Sequence, residues 1–334
     1  MDIEFHYYIT FILCRKAGFE PADAFKIAYA DQYTDDNYYH YHVNLKDGNS
    51  YINQISQTLD ITKPSEKRKT IYPLFHFIPC GEEDQDACCF KCGTKDGLVT
   101  IPNSRNARKL LDAALASKNL YRIGIALHGF ADTWAHQNFL GYKDKLNAKK
   151  GLCPGALIPN IGHADFMHEP DKIHNRWLDK RLTKKYCEID NDERFTQAAK
   201  EIFVKLYSYH NPASTEQTAL MQYEHLNIEK ELLDAMDESY LWGVCSDKAR
   251  RSVYKKICPE LKGSEFAYDP NAWRYAAIEK KEFEIDIFDR YWARKSFDES
   301  DWYKFQKAVE EHKKLALEMF LPLFRNAGLA VYAP

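Results

Sequence analysis

Residues 121–136 read YRIGIALHGFADTWAH, and this stretch constrains the chain more than any other. It places His128, Asp132 and His136 four residues apart in an apolar run. At 3.6 residues per turn, that spacing stacks the three side chains on one helical face. The same face would otherwise belong to Ile123, Ala126, Leu127 and the interior. Two imidazoles and a carboxylate facing an apolar interior need compensation for their charge and lone pairs, and a divalent metal provides it. The competing reading is plain core chemistry. A lone buried His usually bonds a backbone group, and an Asp and a His one turn apart also hydrogen-bond each other.

Further nitrogen and oxygen donors crowd the first half of the chain. Of the 12 histidines, all but His174, His210, His225 and His312 precede residue 170. His6 sits in DIEFHYY; Asp31, Asp35 and Asp36 sit in YADQYTDD, with His40 and His42 close behind. His76 lies among prolines and aromatics in YPLFHFIP, and His163 and His168 in IGHADFMHEPD beside Asp165, Glu169 and Asp171. Read alone, the acidic cluster is a solvated helix end, and His40 and His42 are surface residues. His76 between apolar neighbours is harder to place at a surface.

The bulk numbers describe an ordinary globular chain. With 334 residues, 45% hydrophobic and 28% charged, it can bury a large core. The 22 Tyr and 19 Phe imply broad aromatic packing surfaces. A net charge of −3 gives no pull toward extended nucleic acid or an anionic membrane. No apolar run approaches the ~20 residues of a membrane span. Asp2 and Glu4 stand where a signal peptide would carry positive charge, so a cytoplasmic location is the expectation. Among the nine cysteines, Cys80, Cys88, Cys89 and Cys92 fall together in PCGEEDQDACCFKCG. They suit either a structural metal or disulfides, since no second CxxC pair completes the usual four-thiolate pattern.

Helical signals dominate the order of elements. Phe5 to Lys16 reads as a helix closed by Gly18, and Glu20-Pro21 opens a second that runs into Asp35-Asp36. Residues of about 43–103 form an irregular, cysteine-containing insertion with room for a short strand or hairpin. One long helix is expected from Ser104 to Phe139, then a Gly- and Pro-rich stretch over 141–175. The C-terminal half, about 176–334, reads as four amphipathic helices, around 195–206, over 216–238, over 271–293 and from Trp302 to Gly328. His312 on the last stripe is expected to be a satisfied core histidine. With no internal repeat and no linker, residues 1–334 read as a single all-α domain, a multi-helix bundle.

The HYY start, the QYxDD helix end, FHFIP, LHGFADTWAHQNF and GHA together resemble an uncharacterised bacterial family of unknown function. More distantly, H-x-x-x-D followed by a nearby His resembles the helical zinc-dependent phospholipase C and single-strand nuclease superfamily. Taken position by position, that resemblance implies His6, then Asp35 or Asp36, His76, His128, Asp132, His136 and His163 as metal ligands. Glu169 or Asp171 would be the final acid, and Asp132 the carboxylate bridging two ions. The chain departs from the superfamily pattern in three ways. It offers Met1-Asp2 where secreted members present a mature Trp whose amino group binds metal. The interval from Asp36 to His76 is long. His136 follows Asp132 closely, and His163 has no acid four residues on.

Such a cluster suits phosphoester hydrolysis by metal-bound hydroxide, because Zn²⁺ lowers the pKa of bound water to about 7. Asp35 or Asp36 would orient the water as general base. The expected cofactor is a divalent metal, zinc before Mn or Fe, as one to three ions. The expected substrate is a small-molecule or lipid phosphoester. Lys143, Lys145, Lys149 and Lys150 follow the motif and could meet phosphate charge, although a solvated basic loop is the favoured reading; Trp134 and Tyr33 are expected in the aromatic core. The alternative is a non-catalytic binding or scaffold protein stabilised by the same metal. An HD-type phosphohydrolase is disfavoured, since no adjacent His-Asp pair occurs.

Overall fold

In the computed structural model, residues 1–59, 70–149, 160–237, 247–280 and 290–329 are described. The chain begins with a π-helical segment, Glu4–Ile9, which continues directly into α1 (Thr10–Ala17). Gly18 stops α1 in the left-handed region at φ 107°, as the sequence predicts. Pro21 then starts α2 (Pro21–Asp36). A hairpin, β1 (His42–Asn44) and β2 (Ser50–Ile52), and a short helix α3 (Ile71–Phe75) occupy part of the expected insertion.

The single helix expected over 104–139 is two. Ser104 caps α4 (Arg105–Ser117) by accepting from the Ala107 amide. Lys118 turns left-handed at φ 56°, and the Asn119 side chain accepts from the amides of Tyr121 and Arg122 to start α5 (Leu120–Ala135). A Lys-Asn pair thus supplies a stop and a cap inside one apolar pattern. His136 lies just past the end of α5, its amide still bonded to Asp132 O at 2.8 Å.

α2 and α5 form the central helix pair, and glycine sets their separation. A Cβ on Gly124 would lie 2.4 Å from the Ile27 carbonyl oxygen and 2.7 Å from Ala30 Cβ. Five residues on, a Cβ at Gly129 would meet the Phe75 carbonyl oxygen at 2.8 Å, so the end of α3 is also seated close against α5. The donor-bearing face of α5 is thereby brought against Asp31 and Asp35 of α2 and against His76, which follows α3.

The C-terminal half is less purely helical than expected. Residues 176–190 form a two-stranded hairpin, β3 (Arg176–Leu178) with β4 (Glu188–Asp190), in register Trp177↔Ile189. α6 (Asn191–His210) follows, and the helix expected over 216–238 is α7 (Glu216–His225) and α8 (Ile228–Asp237), parted by Asn227 at φ 50°. α9 (Asp247–Ile257) is an additional helix. The expected 271–293 helix stops after α10 (Ala272–Ala277), where Ile278 turns extended; β5 (Ile278–Lys280) and β6 (Tyr291–Ala293) follow, and residues 281–289 lie outside the described residues. β6 runs parallel to β1 and antiparallel to β5, giving a sheet ordered β2-β1-β6-β5. The fold is thus mostly helical, as the all-α reading expected, but with two small sheets among the described residues.

α11 (Asp301–Asn326) closes the structure, capped by Ser300. Trp134 and Tyr33 lie in the core, and one connected cluster of buried apolar side chains runs from Met1 to Phe324. His312 is buried, its Nε2 donating to the Leu74 carbonyl at 3.1 Å, as the sequence predicts for a core histidine. No helix among the described residues is long and apolar enough to cross a membrane.

Candidate metal centre

Five segments converge at one end of the α2–α5 pair. The π-helical segment contributes His6, α2 contributes Asp31 and Asp35, and the turn after α3 contributes His76. α5 contributes His128 and Asp132, with His136 beyond its end. A 3₁₀ turn, Ala164–Phe166, lies between His163 and Asp171 and lets residues eight apart in sequence meet.

The donors fall into three adjoining groups, each with ligand atoms within 4.8 Å of one another: His6, Asp31 and His128; Asp35, His76 and His128; His136, His163 and Asp171. In the first, Asp31 Oδ1 stands 2.7 Å from His6 Nδ1 and 3.3 Å from His128 Nδ1, and the two rings stack at 3.9 Å. In the second, His128 Nε2 and His76 Nδ1 are 2.9 Å apart, with Asp35 Oδ1 at 3.6 and 3.7 Å from them. In the third, Asp171 places one oxygen 3.2 Å from His136 Nε2 and the other 3.2 Å from His163 Nε2. Asp132 lies between all three. Its Oδ1 faces His6 Nε2 at 3.3 Å, and its Oδ2 faces His76, His128 and His136 at 3.4, 3.3 and 3.6 Å. The Met1 amino group donates to Asp132 Oδ1 and lies 3.4 Å from Asp171 Oδ1.

Backbone carbonyls set the tautomers of the outer histidines. His76 Nε2 donates to Ser56 O at 2.9 Å, His136 Nδ1 to His76 O at 2.8 Å, and His163 Nδ1 to Met167 O at 2.9 Å. A carbonyl only accepts, so each ring gives its N–H to the backbone and turns its other nitrogen toward the carboxylates. This is the outer-shell pattern that orients metal-ligating histidines. In the inner group, both ring nitrogens of His6, His128 Nδ1 and Asp31 Oδ1 are buried without a well-directed hydrogen bond, although His6 Nδ1 and Asp31 Oδ1 stand only 2.7 Å apart. Buried polar atoms are nearly always satisfied, so these atoms fit bound cations: His6 Nδ1, His128 Nδ1 and Asp31 Oδ1 lie together, while His6 Nε2 points away from them toward Asp132.

Neighbouring side chains hold the carboxylates in place. Thr10 Oγ1 donates to Asp31 Oδ2 at 2.8 Å, and Gln57 Nε2 to Asp35 Oδ1 at 3.2 Å. Asn191 donates to the carbonyls of Glu169 and Lys172 on either side of Asp171, while accepting from Trp177 Nε1. Arg181 pairs with Asp179, bonds Leu146 O and lies over the rings of Phe139 and Phe166, which fixes the irregular segment carrying His163.

Without an ion, these groups charge one another strongly. Burial opposes a proton on His128, but Asp35 and Asp132 outweigh it and push the imidazole up to about 10. Burial likewise opposes charge on the Met1 amino group, yet Asp132, Asp171 and Asp35 raise it to about 11. Burial works against ionised Asp132, but His136, the Met1 amine and His128 hold it well below the usual carboxylate range. Burial lowers His76 and His163, which favours the neutral imidazoles that coordinate metals.

Of the residues singled out in sequence, His6, Asp35, His76, His128, Asp132, His136 and His163 all reach this centre. Asp36 does not join the three groups: its carboxylate accepts from Tyr268 Oη and Gln32 Nε2. Of the two acids expected last, Asp171 reaches the centre, whereas Glu169 pairs with Lys149. Asp31 and the Met1 amino group were not among the predicted ligands. Asp31 and Asp35 repeat the four-residue spacing of His128 and Asp132, a signal masked by the adjoining acids on a more polar helix. Lys143 and Lys145 are exposed away from the centre, and Lys150 lies outside the described residues. His42 is exposed and His40 half-buried, bonded to Asn53 O. Cys80, Cys88, Cys89 and Cys92 form no disulfide and join no group of three donors among the described residues.

A cavity of about 320 Å³ opens onto Asp35, His76, Asp132, His136, His163 and Asp171. Gln57, Tyr72, Phe77, Ile161, Met167 and His168 complete most of its wall, and no Lys or Arg among the described residues lines it. His6, Asp31 and His128 lie behind it, fully buried.

This is a mostly helical protein whose buried His/Asp groups are able to hold metal ions. The chain belongs to DUF6765, a family of unknown function whose model matches residues 1–320. No curated protein and no solved structure matches it.

Proposed function

We propose that the protein is a metal-dependent hydrolase acting on phosphoesters, with the divalent ions held by His6, Asp31, Asp35, His76, His128, Asp132, His136, His163 and Asp171. The observation that carries this reading is the set of buried nitrogen and oxygen atoms left without hydrogen-bond partners, continuous with donors that line an open cavity. The distant likeness to the zinc-dependent phospholipase C and nuclease superfamily points the same way, and zinc suits the mixed imidazole and carboxylate donors. A bound divalent ion supplies Lewis acidity toward a phosphoryl oxygen and lowers the pKa of a coordinated water.

The chain's own residues would do the rest. Asp35 reaches the cavity with its carboxylate steadied by Gln57, a position suited to a general base. Phe77, Ile161 and Met167 offer an apolar wall to a substrate's non-phosphate portion. With no Arg or Lys on the wall among the described residues, only the Met1 amino group besides the ions would balance substrate charge. That favours a monoanionic phosphodiester over a phosphomonoester or polyphosphate. A small-molecule or lipid diester fits this description.

A second reading has one specific observation in its favour. The His6–Asp31–His128 group lies wholly behind the cavity, so an ion there would stabilise structure without meeting substrate. The test is zinc analysis of the purified protein by inductively coupled plasma mass spectrometry, followed by assay with bis(p-nitrophenyl) phosphate and p-nitrophenyl phosphate. Bound zinc with preferential diester cleavage is the expected result. Bound zinc with no cleavage of either ester would favour the structural reading, and no zinc uptake would overturn both.

A further inference from the structure

The segment that delivers His6 has an unusual winding. Glu4–Ile9 is π-helical, a form rare in proteins and concentrated at functional sites. Changing the winding by one residue would turn a side chain by about 100° around the axis, enough to swing His6 away from its carboxylates. In the observed winding, His6 Nδ1 is 2.7 Å from Asp31 Oδ1 and Nε2 is 3.3 Å from Asp132 Oδ1. Something must hold this segment against relaxation into an ordinary α-helix.

Its first residue is tied from outside. Glu4 is 1% exposed, and Arg250 of α9 grips it at both oxygens, Nε to Oε2 at 2.7 Å and Nη2 to Oε1 at 2.6 Å. Two parallel charge-assisted bonds fix direction as well as distance. Asp2 Oδ1 accepts from the Glu4 amide, and Asp2 O accepts from the amides of Phe5 and His6. At the other end, Thr10 Oγ1 donates to Asp31 Oδ2 at 2.8 Å and lies 3.3 Å from Phe5 O, placing the end of the π winding against a carboxylate of the centre.

We propose that the buried Glu4–Arg250 pair is a positioning device that holds the chain's first turn in its π-helical form and so sets His6 against Asp31 and Asp132. The proposal rests on the metal-binding part of the proposed function and goes beyond it, because neither Glu4 nor Arg250 faces the cavity or belongs to a donor group. Stability alone does not account for such a pair, since buried ion pairs are often replaceable by apolar side chains of similar volume without loss.

That replaceability supplies the test. The double variant Glu4→Met/Arg250→Met removes the pair without stranding a charge, and Arg250→Lys keeps the charge but loses the two-pronged grip. Zinc affinity is measured by competition with a chromophoric chelator, with His6→Ala as reference. The expected result for the double variant is a folded protein whose zinc affinity at the inner His6–Asp31–His128 group falls about 10- to 100-fold, toward that of His6→Ala. Arg250→Lys should fall in between. Wild-type affinity in both variants would overturn the proposal. Histidine-selective ¹⁵N NMR of the ion-free proteins gives a readout independent of metal: the His6 ring signals should move while those of His312 stay. Unmoved His6 signals in either variant would also overturn it. Should the wild type bind no zinc, the metal reading falls, and the NMR comparison alone decides the positioning role.

Discussion

His76 Nδ1 and His128 Nε2 stand 2.9 Å apart, on rings contributed by different helical segments. Since His76 gives its other nitrogen's proton to Ser56 O, its Nδ1 is an acceptor, and His128 must supply the proton between them. The ion-free centre therefore stores protons that a metal has to displace. His128, pushed up to about 10, and the Met1 amino group, raised to about 11, are both protonated at neutral pH. Zinc uptake should release at least one proton, and its apparent affinity should rise as the pH is raised through neutrality toward those values. Calorimetry in buffers of different ionisation enthalpy measures this. Uptake without proton release would contradict the tautomer assignment.

Gly124 governs the fit of the two ligand-bearing helices. In an exposed helix, Gly→Ala stabilises by about 1 kcal/mol. At this position the new methyl would press on the Ile27 carbonyl and Ala30. Gly124→Ala is expected to destabilise by about 1–3 kcal/mol, as overpacked cores do. It should also weaken zinc binding, because Asp31 and Asp35 would move with α2. Urea denaturation and zinc titration check the two effects separately, and a stabilised variant would show that the helices have room to spare.

Burial differs across the three donor groups. His6, Asp31 and His128 are fully buried, whereas His163 and Asp171 have side chains 19% and 18% exposed at the cavity. Chelators should therefore strip zinc in two phases, rapidly from the His136–His163–Asp171 group and slowly from the inner one. His163→Ala should abolish the fast phase and leave the slow phase. Single-exponential release from the wild type would count against distinct sites.

His312 makes a separate prediction about acid stability. Burial pushes this core imidazole down to about 4, against about 6.5 in an unfolded chain. Its neutral form is fully compatible with the fold above pH 6.5. As pH falls from there toward 4, the unfolded state takes up the proton first, and stability drops by up to about 3 kcal/mol before levelling off. His312→Gln, which retains a donor for Leu74 O, should flatten this part of the stability curve. An unchanged pH dependence in that variant would assign the acid sensitivity elsewhere.

The site was more legible in the sequence than the fold. His128, Asp132 and His136 announce themselves because helix geometry turns a four-residue spacing into a shared face. The π-helical placement of His6 and the approach of Asp171 to His163 have no such signature, since both depend on backbone winding that spacing does not encode. Asp31 hid behind Asp35 and Asp36, whose run of acids reads as a solvated helix end until α5 is packed against it. The break at Lys118 escaped the apolar pattern because periodicity continues across it. The strand at 291–293 pairs on one side with residues 42–44 and on the other with the strand at 278–280, and the first of these is a long-range contact that local pattern cannot report.

Three of the groups that aim the histidines belong to no side chain at all. The carbonyls of Ser56, His76 and Met167 choose which nitrogen of each ring faces the centre, and Met167 does so from a left-handed backbone position at φ 54°. Replacing Met167 by alanine would leave its carbonyl oxygen where it stands, whereas Ser56 also anchors its own segment, its hydroxyl donating to Thr34 O and accepting from Asn37 Nδ2. A conventional alanine scan is therefore blind to part of what orients these rings. Where only the backbone acts, as at Met167, constraint in related proteins should surface as invariant loop length rather than as an invariant letter.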